Sequence, residues 1–354
     1  MDINHKITEY QYMALVHSSM IAVGILSLAQ GVAENAHNEG WLAVLIGGIY
    51  PLVVVTTSAY IDKKANHMDF WEINNKVYGK ILTYLIGLCF FILFLFLEIS
   101  IISGFANVLN ITIVQYMPNY IILIVVALLT IYASLSGLTN VGRLCELFFY
   151  LMIGFIALII FFIPRGEINN IRPITISFNN IFKAIPNTLY SYTGVELSYI
   201  CISFITNKKN TKKAGVIAVF TIILIYTLSV FITIYSLGWE LTSKVSYPIL
   251  HLVATVHLPL IESFTTLLMF LWSSIIFRIL VCNLFTSSYC LLKLTKINYK
   301  KCCIISSILT LSLSYLFIPE YNRIKILEFF TPYMVILGLL WGITTSIIVH
   351  FKKI

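Results

Sequence analysis

Three ionisable side chains lie inside long apolar runs of the sequence. Glu98 falls within FILFLFLEISII, Glu196 within TGVELSYI and Arg278 within SSIIFRIL. An ionisable group at membrane depth is costly, and such a residue is by default a candidate for a functional site. One hypothesis is that Arg278 neutralises Glu98 or Glu196 beside a bound ligand. The alternative is a purely structural ion pair that holds helices together.

Two glycine-containing stretches predict interrupted helices. Gly24 lies in VGILS within the first apolar run, and Gly194 lies in YSYTGVEL within the sixth. In lipid, unwound helix is tolerated only around a cavity lined by protein, although a lone glycine also serves close helix packing. The half-helix ends offer N–H groups to a carboxylate and carbonyls to an ammonium group or a cation. An amino acid carries both charges and is the predicted ligand.

Helical periodicity extends this set to neighbouring faces of the third and eighth runs, because residues three or four apart share a face. The candidate ligand-binding residues are Gly24, Ile25, Ser27, Glu98, Ile101, Tyr192, Thr193, Gly194, Glu196, Ser274, Phe277 and Arg278. Ser273 and Ser274 are also a weaker candidate for a cation site, with ordinary helix packing as the alternative. The spacing of cysteine, histidine and carboxylate residues resembles no metal-ligand set, and we expect no cofactor.

The composition predicts that these residues belong to a membrane protein. Hydrophobic residues make up 59% of the 354 residues, charged residues 11%, and the mean hydropathy is +0.92. A soluble domain carries about a quarter charged residues. The net charge of +8 comes from short clusters between apolar runs, which argues against nucleic-acid binding. The sequence has no phosphate-binding loop and no nucleophile–base pattern, so we expect no enzyme.

Ten runs are apolar and long enough to cross a bilayer as helices. They cover residues 11–31, 41–61, 81–107, 120–137, 144–164, 184–205, 214–238, 259–292, 302–319 and 330–350. With the N-terminus inside, the cytoplasmic segments hold 16 Lys and Arg residues and the outer loops hold six. This bias predicts that both termini are cytoplasmic.

The polar segment 165–183 is predicted to be an extracytoplasmic loop that divides one structural domain into two halves. Residues 1–164 and 184–354 would each contain five helices. Because five is odd, the second half enters the membrane from the opposite side, as in the inverted repeats of secondary transporters. Residues 245–258 are predicted to form a helix lying over the outer entrance.

Three stretches resemble the B subunits of spore nutrient germinant receptors. They are ITEYQYMALVHSSMIAVGILSLAQGVA at the start, GRLCELFF in the fifth run, and YSYTGVELSYI followed by NKKNTKKAG. The resemblance implies an endospore germination permease of the amino acid–polyamine–organocation superfamily, with a LeuT-like five-plus-five fold and broken helices 1 and 6. The family often has arginine where this chain has Leu97 and Ser263, so ion pairs typical of relatives would be missing or rewired.

The resemblance also implies a location and partners. We expect an integral protein of the bacterial spore inner membrane that assembles with a larger A subunit and a C lipoprotein subunit. In this hypothesis the chain is a sensor: it binds a small nutrient, an amino acid by first expectation, and triggers germination. The alternative is an ion-coupled amino acid transporter, which uptake of labelled amino acid into proteoliposomes would distinguish from a sensor.

Overall fold

A computed structural model describes residues 6–172, 176–255 and 264–352. Within these residues the chain is helical, and no β-ladder longer than a single bridge occurs. The first half contains α1 (Glu9–Met20), α2 (Gly24–Ala36), α3 (Gly40–Gly47), α4 (Ile49–Lys64), α5 (Phe70–Thr112), α6 (Asn119–Ser134), α7 (Leu138–Phe149) and α8 (Leu151–Ile160). The second half contains α9 (Phe178–Tyr192), α10 (Leu197–Cys201), α11 (Thr211–Leu237), α12 (Trp239–Lys244), α13 (Pro248–Ala254), α14 (Phe264–Thr295), α15 (Tyr299–Ser314) and α16 (Glu320–Phe351).

Seven helical stretches of the described residues are long and apolar enough to cross a membrane. The predicted count of ten is not tested by length alone, because the first and sixth predicted spans are each divided at an interruption into two shorter helices. The pairs are α1 with α2, and α9 with α10. The sixteen-residue α6 is apolar but shorter than a typical span. The interruption of the first and sixth predicted spans is confirmed.

Capping residues fix where two of the helices begin. Thr8 and Gln11 form reciprocal side-chain hydrogen bonds at the start of α1, and Asp69 and Glu72 do the same at the start of α5. Each such pair satisfies two backbone donors that a helix N-terminus leaves free. The long α5 then breaks at Gly79, whose φ of +78° lies in the region that favours glycine. The chain therefore bends before the apolar part of α5 begins.

Helix α14 packs along α5 and also contacts α1, α6, α7 and α15. All side chains at positions 278–290 of α14 are buried. The first half-helix α1 contacts α7, α11 and α14, while α2 contacts α9, α11, α12 and α13. The two halves of the first span therefore share α11 but otherwise pack against different helices.

A short backbone pairing ties the N-terminal segment to the end of the sixth span. The Ile7 N–H donates to the Phe204 carbonyl at 3.1 Å, and the Thr206 N–H donates to the Ile7 carbonyl at 3.0 Å. These bonds form the parallel bridge between Ile7 and Ile205. These bonds therefore join the segment before α1 to the segment after α10, on the side of the interruptions where α1 and α10 lie.

Several helices begin earlier than the hydropathy predicts, among them α9 and α16. The α9 helix starts at Phe178 rather than 184, and α16 starts at Glu320 rather than 330. Their first turns contain polar residues, which favour a loop in the sequence, but these turns continue the helices and bury Ile181 and Arg323. The predicted helix at 245–258 corresponds to α13, and its residues 256–258 lie outside the described residues.

Candidate functional site

The first interruption lies between Met20 and Gly24. Ile21 at the end of α1 has an extended backbone, with φ of −89° and ψ of 107°. Gly24 is the first residue of α2 rather than part of the unwound segment, a shift of a few residues from the prediction. A Cβ atom at Gly24 would lie 2.6 Å from the Ser191 Oγ, so this glycine allows α2 to approach α9 closely.

The second interruption lies between Tyr192 and Leu197, as the sequence predicts. Gly194 has a φ of +101°, and a Cβ atom there would overlap the Ser19 carbonyl oxygen of α1. Gly194 is therefore required both by its backbone conformation and by contact with the last turn of α1. The second unwound segment thus meets the end of the first half-helix, which is the arrangement expected when both interruptions border one site.

A tyrosine of α11 joins the two segments. The Tyr226 hydroxyl lies 2.7 Å from the Met20 carbonyl oxygen and 3.0 Å from the Ser191 carbonyl oxygen. These carbonyls belong to the last turns of α1 and α9, where a helix leaves its carbonyl groups without helical partners. Tyr226 thereby stabilises both ends with one donor. Tyr192 points elsewhere, because its hydroxyl donates to the Val44 carbonyl of α3 at 2.9 Å.

The Glu196 carboxylate accepts hydrogen bonds at the second interruption. It accepts hydrogen bonds from the Gly194 N–H at 2.9 Å and from the Tyr50 hydroxyl of α4. Glu196 is fully buried and lies at the start of α10, where a helix N-terminus favours a negative charge. Its two oxygen atoms are therefore engaged by residues of this chain.

The predicted ion pair of Arg278 with Glu98 or Glu196 is wrong. No ion pair among the described residues includes Arg278; its Nη2 instead lies 3.4 Å from the His17 Nδ1 of α1. The Glu98 carboxylate is within hydrogen-bonding reach of Thr310 on α15. The apolar runs predict the depth of these residues but not the rotation of their helices, which packing decides.

The remaining predicted residues lie in a groove or in the apolar core. Ser273 and Ser274 bond to carbonyls of their own helix, and with Phe277 they line an apolar groove of about 280 Å³ between α5, α6, α7 and α14. Ile25 and Ile101 are buried in the apolar core. The structure thus gathers Gly24, Ile25, Ser27, Tyr192, Thr193, Gly194 and Glu196 at or beside the interruptions. It places Ser274 and Phe277 in a separate groove, Glu98 beside Thr310 of α15, and Arg278 beside His17 and Tyr226, near the end of α1.

A cavity of about 340 Å³ lies beside the interruptions, between α2, α9 and α16. Its volume is within the range of ligand pockets, about 300–1,000 Å³. The polar and charged groups that face it include Ser27, Gln30, Glu34, Tyr190, Arg323 and Glu328. Ser27 and Ser191 place one end of this cavity next to the unwound segments, since both residues lie within four positions of an interruption.

Arg323 is the cationic group of this cavity, and it is only 3% exposed. Its Nε donates to the Glu320 Oε2 at 2.8 Å and its Nη2 donates to the Glu320 Oε1, whereas Nη1 has no hydrogen-bond partner among the described residues. Gly104 of α5 makes room for it, because a Cβ atom there would lie 3.0 Å from the guanidinium carbon. One donor group of Arg323, next to Gly104, is therefore unpaired among the described residues.

Glu320 is held by three residues from different parts of the chain. Besides Arg323, the Asn107 side chain of α5 donates to it at 2.8 Å and the Tyr247 hydroxyl donates to it at 2.9 Å. Burial raises the pKa of the Tyr247 hydroxyl, which keeps it protonated as a donor. These contacts fix the Arg323–Glu320 pair in place, so the guanidinium enters the cavity with a defined orientation.

The sequence does not reveal this cluster, because Arg323 lies between the ninth and tenth predicted spans, in a segment predicted to be an outer loop. The signal that could have revealed it is the spacing of Glu320 and Arg323, three residues apart, at which opposite charges pair on a helix. Glu34 and Glu328 lie near helix ends, so the sequence does not mark them as candidate site residues. Their common cavity becomes visible only when α2 and α16 are placed side by side.

Comparison with known proteins gives consistent results at two levels. Residues 6–322 match the family model described as spore germination protein. The chain is 25% identical to spore germination protein YndE of Bacillus subtilis (strain 168), over 80% of this chain and 79% of the relative. It is 23% identical to spore germination protein B2 of the same organism, over 76% and 74%, and 22% identical to GerQB of Bacillus cereus, over 77% and 75%.

Solved structures identify the fold. MhsT in complex with L-phenylalanine superposes with a TM-score of 0.71 at 14% identity, covering 98% of this chain and 96% of that protein. A Na⁺-coupled sialic acid symporter in a substrate-bound outward-open state gives a TM-score of 0.68 at 12% identity, covering 95% and 79%. The fold is therefore the LeuT-like transporter fold. Fold and sequence relatives together point to a membrane receptor or transporter rather than an enzyme.

Proposed function

The chain belongs to the spore germination protein family, and we propose that it is the nutrient-sensing subunit of a spore germinant receptor. In this proposal it binds an amino acid in the cavity between α2, α9 and α16. It acts in the spore inner membrane with both termini on the core side, together with an A subunit and a C lipoprotein subunit. The family supports the germination role, and the cavity supports the ligand.

The observation that carries the amino acid assignment is the presence of both signs of charge in one cavity. The Arg323 Nη1 is a buried donor without a partner among the described residues, and leaving such a group unsatisfied costs about 1–3 kcal/mol. A ligand carboxylate would remove that cost. Glu34 and Glu328 face the same cavity and offer acceptors to an ammonium group. A zwitterion satisfies both requirements at once.

The interruptions offer a route from binding to a change of shape. The cavity is formed by α2 and α9, and each of these half-helices ends at an unwound segment. A ligand that draws α16 toward these half-helices would favour one packing of the bundle, to the extent that it binds this packing better. The partner subunits would respond to that packing. This step requires no solute to cross the membrane.

The second candidate function is an ion-coupled amino acid transporter. The LeuT-like fold and the likeness to MhsT, whose structure contains L-phenylalanine, favour it. Uptake of the labelled ligand by proteoliposomes containing the purified chain distinguishes the two functions. Accumulation driven by an ion gradient would support the transporter, and binding without uptake would support the sensor.

A nutrient-panel germination assay tests the sensor proposal. Spores that lack this chain, in a background without similar receptors, should lose the response to at least one amino acid. The wild-type chain and an Arg165→Lys control should restore the response, since Arg165 lies outside the cavity, whereas Arg323→Lys should restore it only at higher ligand concentration. If spores without the chain respond normally to every nutrient, the proposal is wrong.

A further inference from the structure

A second cavity lies at the end of the bundle where the charge distribution predicts the cytoplasm. It has a volume of about 510 Å³ and is bordered by the end of α4, the segment that follows it and the start of α11. Its polar lining includes Asp62, Lys63, Lys208, Lys209, Thr211 and Lys212. The amino acid site described above shares no residue with it, so the two proposals stand independently.

The positive charge of this cavity is only partly neutralised. The Asp62 carboxylate bonds to Lys208 at 3.0 Å and to the His67 Nδ1 at 2.7 Å. Lys63, Lys209 and Lys212 are exposed, and none of them forms an ion pair with another described residue. Three cationic groups therefore surround a concave site that holds one carboxylate. Such a site concentrates anions.

A buried hydroxyl at the same place also requires a partner. Thr211 lines the cavity, is 5% exposed, and its Oγ1 has no hydrogen-bond partner among the described residues. It is the first residue of the 27-residue α11, whose N-terminus favours an anion. The Glu9 carboxylate accepts a hydrogen bond from the Asn210 N–H at 3.1 Å, just before this helix. An anion in the cavity would therefore approach the helix from the side of Thr211.

The surroundings favour a lipid as the source of the anion. Tyr60 lines the cavity and is 36% exposed at the end of α4. The cavity lies at the ends of α4 and α11, which both belong to helical stretches long and apolar enough to cross a membrane, so its lysines lie at the level of lipid headgroups. A headgroup can enter the basic cavity while its acyl chains remain in the bilayer beside α4. We propose that the cavity binds the phosphate group of an anionic phospholipid.

The test uses the purified full-length chain in a neutral detergent and measures the melting temperature with added phosphatidylglycerol, phosphatidylcholine or inorganic phosphate. Phosphatidylglycerol should raise the melting temperature, and the other two should not. In the Lys63→Gln/Lys209→Gln/Lys212→Gln variant the apparent affinity should fall by roughly tenfold or more, because each lysine near an anionic headgroup contributes several-fold. The matched control, Lys296→Gln/Lys300→Gln/Lys301→Gln, removes three exposed lysines elsewhere and should bind like the wild type.

Three outcomes would overturn the proposal. Equal shifts of the melting temperature with phosphatidylglycerol and phosphatidylcholine would show that binding does not require an anionic headgroup. An equal shift with inorganic phosphate would show that binding does not require a lipid. Equal losses in the two triple variants would show a general surface-charge effect. Thr211→Val provides a separate test that keeps every charge, and it should weaken phosphatidylglycerol binding several-fold. Unchanged binding in that variant would contradict the assigned hydroxyl contact.

Discussion

Two arginines are buried in the bundle, and their surroundings differ. Arg323 on α16 shares a bidentate contact with Glu320 and faces a cavity that contains two further carboxylates. Arg278 on α14 is fully buried, and its described neighbours are His17, Tyr226 and the thiols of Cys145 and Cys282, whose sulfur atoms are 3.3 Å apart. Arg323 is held by a carboxylate, whereas Arg278 has only neutral or weakly polar neighbours.

This difference separates a binding group from a group buried by packing. An arginine whose charge is balanced by a fixed partner can present its remaining donor to a ligand at little reorganisation cost. An arginine without an anion carries the full cost of its own desolvation. Arg323 therefore fits a ligand anchor, whereas Arg278 is a source of instability in the region of α1, α7 and α14.

The largest expected effect is the loss of the Arg323 cation. Arg323→Met leaves the partly exposed Glu320 with only Asn107 and Tyr247 as donors, and we expect destabilisation by about 2 kcal/mol, below the about 3–5 kcal/mol of a fully buried pair. The free energy of unfolding in detergent measures this change. Adding Glu320→Gln should recover part of the loss, because the pair is coupled. Equal loss in the single and double variants would contradict the pairing.

The matching change in the other region should have the opposite sign. Arg278→Met removes a buried cation whose Nε and Nη1 have no partner among the described residues, and we expect stability to increase by about 1 kcal/mol. The same unfolding measurement applies. A loss of more than about 2 kcal/mol would mean that Arg278 has an anionic partner, and the contrast between the two arginines would disappear.

A smaller effect is expected where the two half-helices beside the cavity touch. In Gly24→Ala the new methyl group meets the Ser191 Oγ, which can rotate away, so the cost should be about 1 kcal/mol. Ser191→Ala should relieve most of this cost in the double variant while having little effect alone. If the two substitutions are additive, the close approach of α2 and α9 at this point is not supported.

The sequence predicts the backbone of the site better than its side-chain pairs. Gly194 was placed in an interruption because glycine and polar residues occur together in an apolar run, and the structure places it there with a positive φ. The partners of Arg278 and Glu98 could not be predicted, since they depend on helix rotation. Arg323 was assigned to a loop because the polar first turns of α16 hide the start of that helix. A buried charge is harder to predict from the sequence at the end of a helix than in the middle of a helix.

The most direct test of the ligand site is amino acid binding by the purified chain in lipid nanodiscs. Across a panel of L-amino acids, at least one should bind the wild-type chain and Arg278→Met with similar affinity. Arg323→Lys should bind it roughly 10- to 100-fold more weakly, as expected when a hydrogen bond to a charged group is lost. Wild-type affinity in Arg323→Lys, or loss of binding in a folded Arg278→Met, would place the ligand elsewhere and contradict the account.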